Sequence, residues 1–198
     1  MTHYDHFLHS AREQMNSFLD QMDEQALLEA AQLISDAQAK GNRIHITGIG
    51  KPAHVAGYIA SLMSSTGTPT YFLHGTEAVH GSCGQLVKGD VVICISNSGE
   101  TAEMKATALA IRNNGCQLIA VTGNPKSWLA TFCEKHLFAG VKEEGGPLNR
   151  APRNSILAEC LVLQALSVVL QSKLDLSPEA YVLRHPGGSL GQLRENEK

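Results

Sequence analysis

Charge is scarce in this chain. Of 198 residues only 18% are Asp, Glu, Lys or Arg, while 43% are hydrophobic. Disorder needs the opposite balance, little apolar character and much charge, so a packed domain is expected. Basic residues are fewer still: 16 Lys and Arg stand against 19 Asp and Glu, for a formal net charge of −3, and they form no run. A nucleic-acid partner, which needs a basic stripe, is therefore excluded from the expectations. The five cysteines, at 83, 94, 116, 133 and 160, contain no Cys-x-x-Cys pair and leave one over. That argues against a disulfide framework or a structural zinc site, and reduced thiols in the cytoplasm are the plain reading. No metal or redox cofactor is expected. The greasiest run, residues 161–170, is ten long and holds Gln164 and Ser167, too short to span a bilayer. Asp5, Arg12, Glu13 and Asp20 interrupt the first twenty residues, which does not fit a signal peptide.

What is present is an alternation. Residues 7–19 and 25–39 repeat apolar side chains at helical spacing, and Gly41-Asn42 stops the second block. A β-rich run at 43–47 precedes a helix over Lys51–Ser65 that Gly67 ends. Strands are expected at 69–73 and 90–96, a helix at 101–114 ended by Gly115, and further strands at 117–122 and, more weakly, 136–141. Continuously apolar strands separated by helices belong to a parallel sheet covered on both faces. The fold class is therefore α/β: a three-layer α/β/α sandwich with an open, doubly wound, five-stranded parallel sheet. A last long helix, Asn154–Ser172, is apolar on most of its circumference and needs cover on more than one side. Either a central position or a subunit interface supplies it. At roughly 150 residues per domain, residues 1–198 form one domain.

In such sheets ligands collect beyond the carboxyl ends of the strands, so the turns there are the places to look for chemistry. After the first strand, Gly48-Ile49-Gly50-Lys51-Pro52-Ala53 fits G-x-G-x-x-A, a dinucleotide turn. The acidic residue that would hold a ribose is missing from the end of the second strand, Phe72-Leu73-His74-Gly75. A tight strand–helix turn, with Pro52 at the first helical position and Lys51 in solvent, explains the glycines as well. After the third strand, Ser96-Asn97-Ser98-Gly99-Glu100-Thr101 places three hydroxyls and a glycine at a helix N-terminus. Backbone N–H groups, hydroxyl donors and the positive end of the helix dipole suit a phosphate monoester there. A capping box of Asn97 and Glu100 is the bland alternative, but it has no need of all three hydroxyls. Glu103 then falls in the first helical turn. The remaining candidates are weaker alone. His74, His80 and Cys83 match no common zinc spacing, Glu143 and Glu144 beside Gly145-Gly146-Pro147 read as solvated acids, and His185 reads as a dipole partner at a helix end.

Taken together these residues resemble the sugar isomerase (SIS) domain family, and within it the arabinose 5-phosphate isomerase branch. The marks are Gly48-x-Gly50-Lys51-x-x-His54, Ser64-Ser65-Thr66-Gly67-Thr68-Pro69, Glu77-x-x-His80-Gly81, Ser96-Asn97-Ser98-Gly99-Glu100 and Arg184-His185-Pro186-Gly187-Gly188-Ser189-Leu190-Gly191. They run from 43 to about 193, behind N-terminal helices over 1–40. The resemblance implies that Lys51, His80, Glu103, Glu144 and His185 occupy active-site positions. It likewise implies that Ser96, Asn97, Ser98 and Thr101 hold the substrate phosphate, and that Gly50 and Ser155 touch the sugar. It implies a homotetramer with sites completed across subunit contacts. Two stretches depart from the branch. Its Ala-Pro-Thr-x-Ser-Thr-Thr loop is here Ala151-Pro152-Arg153-Asn154-Ser155-Ile156-Leu157, hydroxyls lost and an arginine gained, and its His-Gly-Asp is His80-Gly81-Ser82. Members of the branch also continue into a paired cystathionine-β-synthase module, which lies outside this sequence.

The function expected is aldose–ketose isomerisation of a phosphosugar, D-arabinose 5-phosphate to D-ribulose 5-phosphate, through an enediol. Such chemistry needs positioned acids and bases only. A non-catalytic phosphosugar sensor is the alternative; it would use the hydroxyls but not Lys51, two histidines and two glutamates together. An NAD-dependent dehydrogenase, resting on the Gly48 turn, is a distant third.

Overall fold

Runs dense in Val and Ile become the strands of one sheet, because β-branched side chains pack well on a pleated surface buried on both faces. The computed structural model describes residues 1–197. Its strands are β1 (Ile44–Gly48), β2 (Thr70–Phe72), β3 (Val91–Ile95), β4 (Gln117–Thr122) and β5 (Lys135–Phe138). All pair in parallel, in the order β2-β1-β3-β4-β5. The helices are α1 (His3–Asp20), α2 (Glu24–Ala39), α3 (Lys51–Ser65), α4 (Gly75–Ala78), α5 (Ala102–Asn113), α6 (Trp128–Phe132), α7 (Asn154–Ser172) and α8 (Pro178–Leu183).

Alternate strand residues feed two cores. Ile44, Ile46, Val91, Ile93, Ile119 and Val121 point to the side of α1, α2, α3 and α7. Val92, Cys94, Leu118 and Ala120 point to the side of α4, α5 and α6. The expected three-layer sandwich is the observed one. Behind β1 the chain turns outward to β2, and from β2 it crosses to β3 on the other side. The strand order therefore reverses between β1 and β3, and a crevice opens beyond their carboxyl ends, where Gly48 pairs with Ile95. At the amino ends of the strands the fully buried Asp90 ties the start of β1 to the start of β3. Its carboxylate accepts the N–H groups of Arg43 (2.8 Å) and Val87 (3.0 Å) and lies 3.2 Å from His45 Nε2.

Some boundaries move, each for a local reason. β5 stops at Phe138 instead of running to 141, because its partner β4 ends at Thr122 and leaves nothing to pair. Pro52 is the second residue of α3, Lys51 the first. The short α4, α6 and a 3₁₀ turn at Ser82–Gln85 are not expected from periodicity, since four or five residues do not complete two helical turns. α7 is 19 residues long and rich in apolar side chains, with a mean hydropathy of 1.6 over an 18-residue window, so it reaches the length and composition of a bilayer span that the ten-residue run does not. Here it packs against α1, α2 and α3, and its enclosed face includes Asn154, Ser155, Glu159 and Ser167.

Candidate active site

The turn after β1 is tight because nothing larger than glycine fits it. A Cβ on Gly48 would sit 2.6 Å from the Pro52 carbonyl carbon, so the strand and α3 can approach only through glycine. Gly50 has a φ of 68° and starts α3 without any side-chain cap. These constraints account for the glycines of the G-x-G-x-x-A pattern. β2 ends with no acid, and His74 is engaged in accepting the Glu77 N–H, so a ribose finds no carboxylate there.

The turn after β3 is the centre of the site. Its backbone is locked from behind by the loop that follows β4. Gly123 N–H donates to Asn97 O (2.8 Å), Leu129 N–H to Gly99 O (3.1 Å) and Trp128 N–H to the Glu100 carboxylate (2.7 Å). Gly99 sits at φ 64°, with Ser127 where a Cβ would be. Glu100 is also paired with Lys105, and these bonds, the Lys105 one first, hold its carboxyl below the usual range. The Asn97–Glu100 capping box, the bland alternative, is not formed. Thr101 is the N-cap of α5 and makes no side-chain capping bond. Ser96 Oγ lies 3.3 Å from Thr101 Oγ1, while Ser98 Oγ accepts the Glu100 N–H at 3.2 Å. Hydroxyls and uncapped first-turn N–H groups are thus left converging on one point, which is what an anion needs.

That point is a cavity of about 300 Å³ lined by Lys51, Ser96, Asn97, Ser98 and Thr101, with Ile49, Pro52 and Pro152. Five expected residues meet there. Gly50 lines the neighbouring hollow with His54 and His74. Glu103 is exposed in the first turn of α5, two residues beyond Thr101. The others are placed differently. One oxygen of Glu144 accepts the N–H groups of Arg153 (2.6 Å) and Ser155 (3.1 Å), so this carboxylate supplies the cap that α7 lacks, and it is not simply a solvated acid. Ser155 is fully buried behind it, its Oγ unpartnered, and does not line the cavity. His80 lies on the exposed turn after α4, outside the cavity. His185 follows α8; its ring stacks on Tyr181 at 4.1 Å and Nδ1 is 3.0 Å from Tyr181 O, the helix-end partner of the bland reading. The segment carrying it packs near Gly67, past the end of α3, which is the edge of the sheet opposite the phosphate turn. Within one chain His185 does not reach the site.

One residue escapes the sequence reading. Glu159 has no exposed surface, and neither carboxylate oxygen has a hydrogen-bond partner. Burial first, and the charge of Glu144 second, push its carboxyl up to about 8. The signal is a lone acid, four residues after Ser155, in a helix that carries no other charged side chain. The thiols offer no nucleophile: all five are unpaired, and burial pushes Cys116 to about 11 and Cys133 to about 12. Among the described residues no three His, Cys, Asp or Glu side chains are grouped to hold a metal, His74, His80 and Cys83 included.

A strand–hydroxyl turn–helix arrangement at the reversal point of a 2-1-3-4-5 sheet agrees with what family comparison finds: the SIS domain model matches residues 37–169. The chain belongs to the SIS domain family. It is 38% identical over 193 residues to arabinose 5-phosphate isomerase KdsD of Pseudomonas aeruginosa, covering 94% of this chain and 58% of that protein. To KdsD of Escherichia coli K12 it is 39% identical over 158 residues, 78% of this chain and 48% of that protein. The chain thus spans about half the length of these relatives. Among solved SIS-type structures it superposes on Escherichia coli CFT073 c3406 in complex with arabinose 5-phosphate, with a TM-score of 0.82 and 37% identity over 92% of this chain and 95% of that one.

Proposed function

We propose that this SIS domain is a phosphosugar aldose–ketose isomerase that interconverts D-arabinose 5-phosphate and D-ribulose 5-phosphate. The observation that carries the reading is the 300 Å³ cavity, where the hydroxyls of Ser96, Ser98 and Thr101, the uncapped start of α5 and the Lys51 ammonium come together. Curated relatives that act on arabinose 5-phosphate support the choice of sugar. In the reaction the phosphate rests on Ser96, Asn97, Ser98 and Thr101. A glutamate takes the C2 proton of the opened aldose, and the electron pair moves to form the C1=C2 enediol. Lys51 stabilises the negative charge that builds on oxygen. Return of the proton to C1, with transfer of the O2 proton to O1, gives the ketose. Glu103 is exposed in the first turn of α5, two residues beyond Thr101, outside the cavity lining and without a hydrogen bond among the described residues, and is assigned as the base; Glu144 has one oxygen committed to α7. His80 and His185 are assigned to ring opening and hydroxyl proton transfer in a neighbouring subunit's site, within a cytoplasmic homotetramer.

The test is turnover on a phosphosugar panel in heavy water. Arabinose 5-phosphate should be converted and deuterium should enter the sugar, and Glu103→Gln should lower kcat by about 10²–10⁴-fold while binding persists. Tight binding of arabinose 5-phosphate without turnover would instead favour a phosphosugar sensor. The position of His80 and His185 away from the cavity of their own chain is the observation on that side.

A further inference from the structure

Beside the phosphate cavity lies a second one of about 530 Å³, and Lys51 and Pro152 line both. The lining of the second holds three cations, Lys51, Arg150 and Arg153, and no acidic side chain; the rest is apolar, chiefly Pro147 and Leu148. Among the described residues none of the three cations has a carboxylate partner. Lys51 and Arg150 make no side-chain hydrogen bond, and the only one from Arg153 goes to Ala151 O at 3.4 Å. Elsewhere in the molecule Arg43, Arg112, Lys105 and Lys135 are each paired with an acid. Three cations around one cavity, with no carboxylate paired to their charged groups, repel one another, and an anion between them relieves that repulsion.

The loop that carries the two arginines is built rather than loose. Glu144 N–H donates to Asn149 Oδ1 (2.6 Å), Asn149 N–H to Gly146 O (2.8 Å) and Arg153 N–H to the Glu144 carboxylate (2.6 Å). Asn149 adopts a φ of 47° to close this turn. The Arg153 guanidinium lies so close to Gly146 that a Cβ there would overlap it, so its place depends on a glycine. This guanidinium is exposed and free of any ion pair, and its planar shape suits bidentate contact with a carboxylate or a phosphate.

We propose that this second cavity is an anion subsite, and that the cleft favours sugar phosphates carrying a second acidic group, carboxylate or phosphate, at the end away from the first. The proposal rests on the phosphosugar reading above and narrows its ligand class. Titration calorimetry with three probes tests it: D-arabitol 5-phosphate, 5-phospho-D-arabinonate and D-arabitol 1,5-bisphosphate. The wild-type protein should bind at least one acid-ended probe about ten-fold or more tightly than D-arabitol 5-phosphate. The Arg150→Gln/Arg153→Gln double variant should lose about ten-fold of that preference. Whichever acid-ended probe shows the effect identifies the group recognised. Arg150→Gln alone, at an exposed position outside the loop's hydrogen bonds, should move the preference in the same direction and serves if the double variant does not fold. A preference unchanged in the variants, an equal loss on all three probes, or no preference in the wild type overturns the subsite. Ser98→Ala separates the two readings: unchanged affinity for D-arabitol 5-phosphate would overturn the phosphosugar site itself, whereas weakened affinity with an unaltered preference in the arginine variants overturns only the second subsite.

Discussion

Glu159 takes up a proton when the chain folds, because its carboxyl rises from an ordinary 4.5 to about 8 on burial. Below the lower value both states are protonated and the site is neutral to stability. Between the two values the folded state holds more proton than the unfolded one, so stability falls as pH rises, by at most about 1.4 kcal/mol per unit. Glu159→Gln should remove that slope and gain on the wild type toward pH 8, as read by denaturant melts across this window. Parallel curves for the two proteins would mean that Glu159 is solvated and charged. On the proposed function Ser98→Ala would remove a hydrogen bond to the substrate phosphate, worth about 1.5–3 kcal/mol, so KM for a phosphosugar should rise about ten-fold or more with the fold intact. The two positions differ in how plainly the sequence shows them. Ser96, Ser98 and Thr101 cluster between a strand and a helix, where every hydroxyl beyond one cap asks for a ligand. Glu159 interrupts an apolar stripe, and a periodicity argument built from the apolar residues passes over it. Glu144 is legible as an acid by a Gly-Pro turn, but its bond to α7 spans about ten residues of loop and leaves no local spacing.

At the scale of elements, the phosphate turn owes its shape to the loop after β4. Trp128 N–H and Lys105 both hold Glu100 in place. Glu100→Ala should therefore raise KM several-fold while leaving the chemical step little changed, and hydrogen exchange should quicken at Gly123, Trp128 and Leu129 together. An effect confined to kcat would contradict this role. Long elements are readable because their pattern repeats: α3, α7 and β4 fall at their expected limits. α4 and α6 are not, since one helical turn has no period to detect and each exists through tertiary bonds such as Thr107 Oγ1–H to Gly75 O (2.7 Å). β5 overruns in the sequence for a related reason: strand limits are set by the neighbour that offers hydrogen bonds.

The molecule as a whole presents one face that a single chain leaves uncovered. Tyr58 on α3 is 47% exposed, and Leu157 and Val168 on α7 are 41% and 65% exposed, with Gln164 bonded to the Tyr58 hydroxyl between them. Self-association through α3 and α7 is expected, and light scattering at micromolar concentration should report an oligomer; Val168→Glu should dissociate it. A monomeric wild type would remove the shared site along with the interface. Glu144 gives this arrangement a further property. The carboxylate that accepts the N–H of Arg153, a residue lining the second cavity, also accepts the Ser155 N–H in the first turn of α7, the helix that bears the uncovered face. Dilution and turnover then become linked variables. Glu144→Ala should fray the start of α7, so its specific activity should recover partly as protein concentration is raised, whereas Glu103→Gln should stay equally slow at every concentration.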